Sequence, residues 1–258
     1  MSDLAARRRV PSILDLREIE PGPGADDELV FGLVRRFARE FGDSLVLYGG
    51  ITATERIYGL KRIREITTDL DFACVPGREE SLLSIPGIRY HPAFDILCAS
   101  VGGLPVTFAC GHIHDWPTSP EFYGTARAVP VGGQRVLCAS REHSIMLKFR
   151  RMAERARRGA PLFGKDALDI INIVAASCRK PGIWSMDLAR TARLILSDAC
   201  ADGTLLAGLF RFIAGYTGHL TEAERDAFSP SLAELALALG LDGAPDAGRP
   251  RPAEPRGG

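Results

Sequence analysis

The sequence predicts an α+β protein in which a mixed β/α unit is followed by an all-helical one. Three observations lead there. Between Ser44 and Cys138 the chain carries short apolar runs of strand character (SLVLYGG, TTDLDFACV, DILCASV, LPVTFAC, RAVPV, QRVLC) punctuated by glycine pairs. After Ser140 the apolar residues recur at helical spacing instead. With 258 residues, 46% of them hydrophobic, the chain can bury a sizeable core without covalent staples, which excludes disorder over most of its length. The expected organisation is a flexible lead over residues 1–25 and an α/β domain over 26–140. A helical domain over 141–240 contributes to the site, and a disordered Pro/Gly-rich tail occupies 241–258.

The elements follow in order. Asp26 and Asp27 open an amphipathic helix in which Leu29, Phe31, Val34, Phe37 and Phe41 recur on one face, and Gly42 ends it. SLVLYGG is a buried strand running into the Gly49-Gly50 turn, where ITATERIYGL starts a helix. TTDLDFACV is a strand and PGREESLLSIPG a turn with a short helix. From Ile88 to Val136 the chain reads as β, with turns at Gly102-Gly103 and a hairpin at Gly132-Gly133. REHSIMLKFRRMAERARR, GKDALDIINIVAAS, MDLARTARLILSDACA, TLLAGLFRFIAGY and LAELALALGL are five helices.

Charge and cysteine usage narrow the class. Lys+Arg and Asp+Glu both count 32, so the balance does not indicate whole-protein attraction to nucleic acid and leaves only a local basic patch open. Six cysteines lack C-x-x-C spacing and mostly sit in apolar runs, where they behave as small buried hydrophobes; the expectation is reduced thiols and a cytoplasmic home. Pro11 and Asp15 interrupt the basic N-terminal stretch before any apolar segment, so it does not read as a signal peptide. No run approaches the roughly 20 apolar residues of a membrane span.

The chemistry-bearing candidates begin with Asp69-Leu70-Asp71. In a strand, residues two apart share a face, so both carboxylates converge while Leu70 and Phe72 point to the core. Like charges that close need a cation, and Mg²⁺ is held by one or two carboxylates plus phosphate oxygens. A solvated strand end would explain the pair as well, so context decides. Gly49-Gly50, between strand and helix, permits close approach of the backbone to a ligand at an anion-favouring helix start, and Thr52 adds a hydroxyl. The segment is neither G-x-x-x-x-G-K-[ST] nor G-x-G-x-x-G. Asp95, heading an apolar strand, is either a turn residue or a third carboxylate on a strand beside the first pair, completing a two-metal site.

The helical part supplies positive charge. The chain has only four lysines. Lys148 follows Ile145-Met146-Leu147 and is expected to be shielded, with Arg155 two turns on and nearly on the same face. Arg150, Arg151, Arg157 and Arg158 read as a solvated basic surface, or as contacts to nucleic-acid phosphates. Asp166 and Asp169 share one helical face; Asp166 can simply complement the helix dipole, whereas Asp169 lies deeper. His112, His114 and Asp115 lack further ligands at zinc spacing. Trp116, Phe122 and Tyr123 read as cover for a core edge.

In this order, a Gly-Gly turn, T-D-L-D-F on a strand, a later F-D-I-L strand, then L-K-x₆-R and K-D-x-x-D on helices resemble the AbiEii-type nucleotidyltransferases. These toxins of abortive-infection and type IV toxin–antitoxin systems, with the related MenT-like toxins, belong to the polymerase-β-like nucleotidyltransferase superfamily. The resemblance covers roughly residues 44–175. It implies a polymerase-β-like domain with a mixed sheet and transfer of an NMP from an NTP to a hydroxyl of a tRNA 3′ end or a protein. It also implies Mg²⁺ on Asp69 and Asp71, phosphate contact by Lys148, activation of the acceptor by Asp169 rather than Asp166, and a separately encoded antitoxin. On the reading of the residues themselves, Asp95 is the candidate third metal ligand, and Gly49, Gly50, Thr52, Lys148 and Arg155 are the candidate nucleotide contacts. Two departures stand out. Ile51 occupies the place where the family has Ser or Thr, and KRIREITT lengthens the link before Asp69. The alternatives are a nucleotidyltransferase that modifies a small molecule and a catalytically silent homologue that binds a partner. Ile51 favours the silent homologue, and retention of the carboxylates and Lys148 opposes it.

Overall fold

The computed structural model describes residues 27–60, 69–92, 96–110, 120–177, 188–196 and 203–241. Helix α1 (Asp27–Phe41) buries Val30, Phe31, Leu33, Val34, Phe37 and Ala38, the stripe its periodicity predicts, while Leu29 and Phe41 pack at its margin. Strand β1 (Leu45–Tyr48) then runs to the glycine pair. β2 (Leu70–Cys74) pairs antiparallel with it, Tyr48 opposite Asp71. A short helix α2 (Glu79–Leu83) leads to β3 (Arg89–His91), β4 (Ile96–Val101) and β5 (Leu104–Ala109). Helix α3 (Pro120–Thr125), β6 (Arg127–Val131) and β7 (Gln134–Cys138) complete the first half.

These strands form one seven-stranded mixed sheet in the order β3-β4-β5-β2-β1-β7-β6. β2 is parallel to β5 and β1 is parallel to β7, and the other pairs are antiparallel. The Gly132-Gly133 hairpin forms as expected, β6 to β7, and the Gly102-Gly103 turn closes a second hairpin, β4 to β5, with all four glycines at positive φ. β5 therefore lies beside β2, and β4, the strand that follows Asp95, is one strand further out. The sequence reading, which set that strand directly against the Asp69-Asp71 strand, is corrected on this point. A tight hairpin turns the chain back, and its second limb, LPVTFA, takes the place next to β2.

The two sheet faces hold different cores. Leu45, Leu47, Leu70, Phe72, Val106 and Phe108 meet α1 on one face. On the other, Val46, Ala73 and Ala139 pack with Phe122 of α3 and with Leu147 of the next helix. Phe122 is thus core cover, as expected, and Tyr123 donates from its hydroxyl to the Cys74 carbonyl at 2.6 Å. The four described cysteines, Cys74, Cys98, Cys110 and Cys138, are free thiols.

From residue 141 every regular element among the described residues is helical: α4 (Arg141–Arg157), α5 (Gly164–Ser177), α6 (Leu188–Leu196), α7 (Gly203–Ala214) and α8 (Glu222–Ala238), with a 3-10 turn at Thr217–His219. α8 starts on a full capping box, Thr221 and Glu224 exchanging bonds with each other's backbone N–H. The helices share one apolar cluster, which also takes in Ala53 and Leu60 from the segment after β1, so sheet and helices meet at that segment.

The helix expected over ITATERIYGL does not form. Gly49–Ala53 is a 3-10 turn followed by further turns. The cause is local: Thr52 Oγ1 donates to the Gly49 carbonyl at 2.8 Å and Thr54 Oγ1 to the Ile51 carbonyl at 2.7 Å. Such side-chain bonds compete with the helical ladder. The lead, the 61–68 link, the 112–116 motif and the tail from 242 lie outside the described residues. No described helix is long and apolar enough to cross a membrane.

Candidate active site

A pocket of about 250 Å³ opens where the C-terminal end of β1 meets the start of β2 and one side of α4. Gly49 and Gly50 form its rim on the sheet side, Asp69 just before β2 and Asp71 on it face it, and Lys148, Arg151 and Lys165 face it from α4 and α5. The period-two argument holds: Leu70 and Phe72 go into the α1-side core and the two carboxylates go to the pocket.

Gly49 is required for two reasons. Its φ is +82°, and a Cβ there would stand 3.2 Å from Cβ and Cγ of Asp71 and closer still to its Oδ2. The turn therefore presses its backbone against the Asp71 carboxylate. Asp71 Oδ1 also accepts a 2.7 Å bond from Thr107 Oγ1, its register partner on β5. Burial pushes the Asp71 carboxyl above its usual range and Asp69 adds to this, while the Thr107 bond, Lys148 and Arg151 pull the other way. The neighbouring Tyr48 phenol is raised by burial first and then by Asp71, so it stays protonated and can donate.

Lys148 is shielded, as its sequence context implies, but its first partners are protein groups. Its Nζ lies 2.8 Å from Asp169 Oδ2 and 3.3 Å from Asp166 Oδ1, and both carboxylates are fully buried. Arg151 Nε adds a contact of 3.5 Å to Asp166 Oδ2. Two cations thus balance two buried anions, with the cations on the pocket side. Asp166 and Asp169 do not line the pocket; they hold Lys148 and Arg151 toward it. Phe163 carries Arg155 at 3.7 Å, Arg151 at 5.2 Å and Lys165 at 5.9 Å from its ring centroid, which orders these cations further.

Four of the sequence candidates meet as expected: Asp69, Asp71, Lys148 and the Gly49-Gly50 turn. Thr52 is buried and spends its hydroxyl on the Gly49 carbonyl, so it shapes the turn without facing the pocket. Ile51 points into the α1-side core, so the departure at this position serves packing and leaves the pocket clear. Arg155 turns away, with Nε donating to the Pro161 carbonyl at 2.6 Å. Arg151, three residues after Lys148 and therefore on its face, takes the place assigned to Arg155. Asp95 lies outside the described residues. Thr107, Arg151 and Lys165 were missed as site residues; helical phase could have found Arg151, and the scarcity of lysine could have found Lys165.

The donor set fits magnesium. Among the described residues no cluster of three or more His, Cys, Asp or Glu side chains forms a metal cage. Two carboxylates beside Lys148, Arg151 and Lys165 are a donor set that a Mg²⁺ completed by phosphate oxygens and water would fit. A cation there would also relieve the repulsion between Asp69 and Asp71.

No family model matches this sequence, and no curated protein does. Its fold is similar to that in the crystal structure of an antigenic nucleotidyltransferase-like protein from Paracoccidioides brasiliensis, at TM-score 0.50 and 18% identity over 88% of this chain and 98% of that one. The chain thus has a nucleotidyltransferase-like fold.

Proposed function

We propose that the protein transfers an NMP from an NTP to a hydroxyl acceptor and releases pyrophosphate. One observation carries this reading: at a glycine turn that forces close backbone approach, two carboxylates face three cations across one pocket. Lys148, Arg151 and Lys165 bind the triphosphate oxygens, and the ion pairs of the first two, with the Phe163 ring beside Arg151, keep them oriented before substrate arrives. Asp69 and Asp71 would hold Mg²⁺, which when bound neutralises charge on the phosphates and on the leaving pyrophosphate. The acceptor hydroxyl oxygen attacks the α-phosphorus as the bond to pyrophosphate breaks, and the hydroxyl proton passes to water. Asp169 acts through Lys148, since that ammonium stands between it and the pocket.

The motif order that resembles the AbiEii-type toxins supports the finer reading. The acceptor is then a tRNA 3′ end or a protein hydroxyl, the activity restrains growth in the cytoplasm, and a separately encoded antitoxin opposes it. The test is incubation with each α-labelled NTP, Mg²⁺ and total cellular RNA and protein. Label is expected on RNA or on protein and is abolished by Asp71→Asn. Label on neither with any nucleotide would overturn the transferase reading.

A further inference from the structure

A second, larger cleft lies beside the segment that follows the Gly49–Ala53 turn. It measures about 510 Å³ and is lined from three separate elements: Arg56 and Tyr58 after the turn, Arg127 and Pro130 on the edge strand β6, and Arg141 and Glu142 at the start of α4. Nothing in the nucleotide pocket uses these residues. Three guanidinium groups converging on one cleft are an unusual concentration of charge in a chain with no net charge.

Two of the three are pre-oriented by rings. Arg141 stands over the Tyr58 ring at 5.4 Å and Arg56 over the Phe31 ring at 4.4 Å. A ring holds a guanidinium by its face and leaves the in-plane N–H fork available, the arrangement suited to a bidentate oxyanion. The nearby carboxylates offset this only in part. Asp27 is 3.9 Å from Arg56, a loose contact, and Glu142 lines the cleft with Arg141 and Arg127. The start of the 17-residue α4 adds the positive end of its dipole.

The cleft is also aligned with the pocket. Arg141, Ser144, Lys148 and Arg151 fall within about 80° of one another around α4 at 3.6 residues per turn, and Arg141 and Lys148 are about 10 Å apart along its axis. Arg127, opposite Cys138 on β7, sits at the same end of the sheet as Tyr48. Both basic sites therefore open along one side of a single helix.

We propose that the Arg56–Arg127–Arg141 cleft is a second anion site and takes a phosphate group, from either a free phosphorylated small molecule or the backbone of a nucleic-acid strand. The site stands on its own geometry and does not require nucleotidyl transfer.

Calorimetric titration tests it, with three probes: inorganic phosphate, a mononucleoside monophosphate without Mg²⁺, and a short single-stranded oligoribonucleotide. Arg127→Gln and the double change Arg56→Gln with Arg141→Gln are each expected to weaken binding at least tenfold, whereas Arg89→Gln on the opposite edge strand leaves it unchanged. The probes carry no triphosphate and no Mg²⁺, and the readout is binding rather than transfer of label, so failure of the transferase reading and failure of this one are separable. Arg127 is exposed on an edge strand, so its variant keeps the fold and decides the matter even if the double variant melts. Tight binding of the oligonucleotide alone assigns the site to a strand, and equal binding of the monophosphate assigns it to a small phosphate ester. Unaltered binding in Arg127→Gln, or equal weakening by Arg89→Gln, overturns the proposal.

Discussion

Replacing Lys148 by Met tests the charge balance beneath the pocket. The side chain loses its ammonium and one atom of length, so Asp166 and Asp169, both fully buried, lose their contacts with Nζ, while Arg151 stays 3.5 Å from Asp166. Removing one partner of a buried pair costs about 3–5 kcal/mol. For a chain of this size each kcal/mol moves Tm by about 2–4 °C, so the expected fall is roughly 6–20 °C. The assay is thermal unfolding of four proteins: wild type, Lys148→Met, Asp169→Asn and the double variant. Removing the ammonium and its closest carboxylate together leaves the local balance neutral, so the double variant should recover more than half of the loss. Additive losses in the double variant would refute the reasoning, because they would mean that Lys148 and Asp169 do not compensate each other. A nucleotide-binding defect in Lys148→Met is to be read only beside this cycle.

Three further outcomes are expected. Asp71→Asn abolishes transfer yet holds or raises Tm without metal, because burial and Asp69 both disfavour the carboxylate; millimolar Mg²⁺ should raise Tm in the wild type and not in the variant, read by scanning fluorimetry. Burial lowers the His143 pKa to about 4 while its ring Nδ1 stays within 3.0 Å of the Ser140 and Thr125 hydroxyls. The unfolded chain takes up that proton first, near pH 6.5, so stability is full above about pH 6.5 and falls by on the order of 3 kcal/mol as pH drops towards 4. Urea unfolding across this range should show that slope, and His143→Gln should flatten it. Gly49→Ala should lose about 1–3 kcal/mol from the positive φ, with more from the clash with Asp71; Gly42→Ala, at φ +53° with open space around it, isolates the backbone part, and equal losses at both sites would show that the Asp71 approach carries no cost.

What could be read from the sequence alone was what local spacing dictates. The 3.6-residue stripe of α1, the alternation that sends Asp69 and Asp71 to one face, and the glycine-pair hairpins all follow from the geometry of one element and its immediate turn. The same holds for the shielding of Lys148, which its apolar neighbours foretold. Pairing across long sequence distances was decided only by the tertiary structure. Nothing local says that LPVTFA, rather than DILCASV, lies against β2, since both limbs of a hairpin carry similar apolar patterns; Thr107 therefore bonds to Asp71 without any sign in its own surroundings. The loss of the helix after Gly50 came from two threonine hydroxyls outcompeting a ladder that periodicity had allowed. The roles of Arg151 and Arg155 were settled by Phe163 and Asp166, eight to fifteen residues along the chain, which turn one cation to the pocket and the other away. A side chain's face follows from the period of its own element, but its partner depends on which elements the fold brings alongside, and in this protein those partners set the electrostatics of the site.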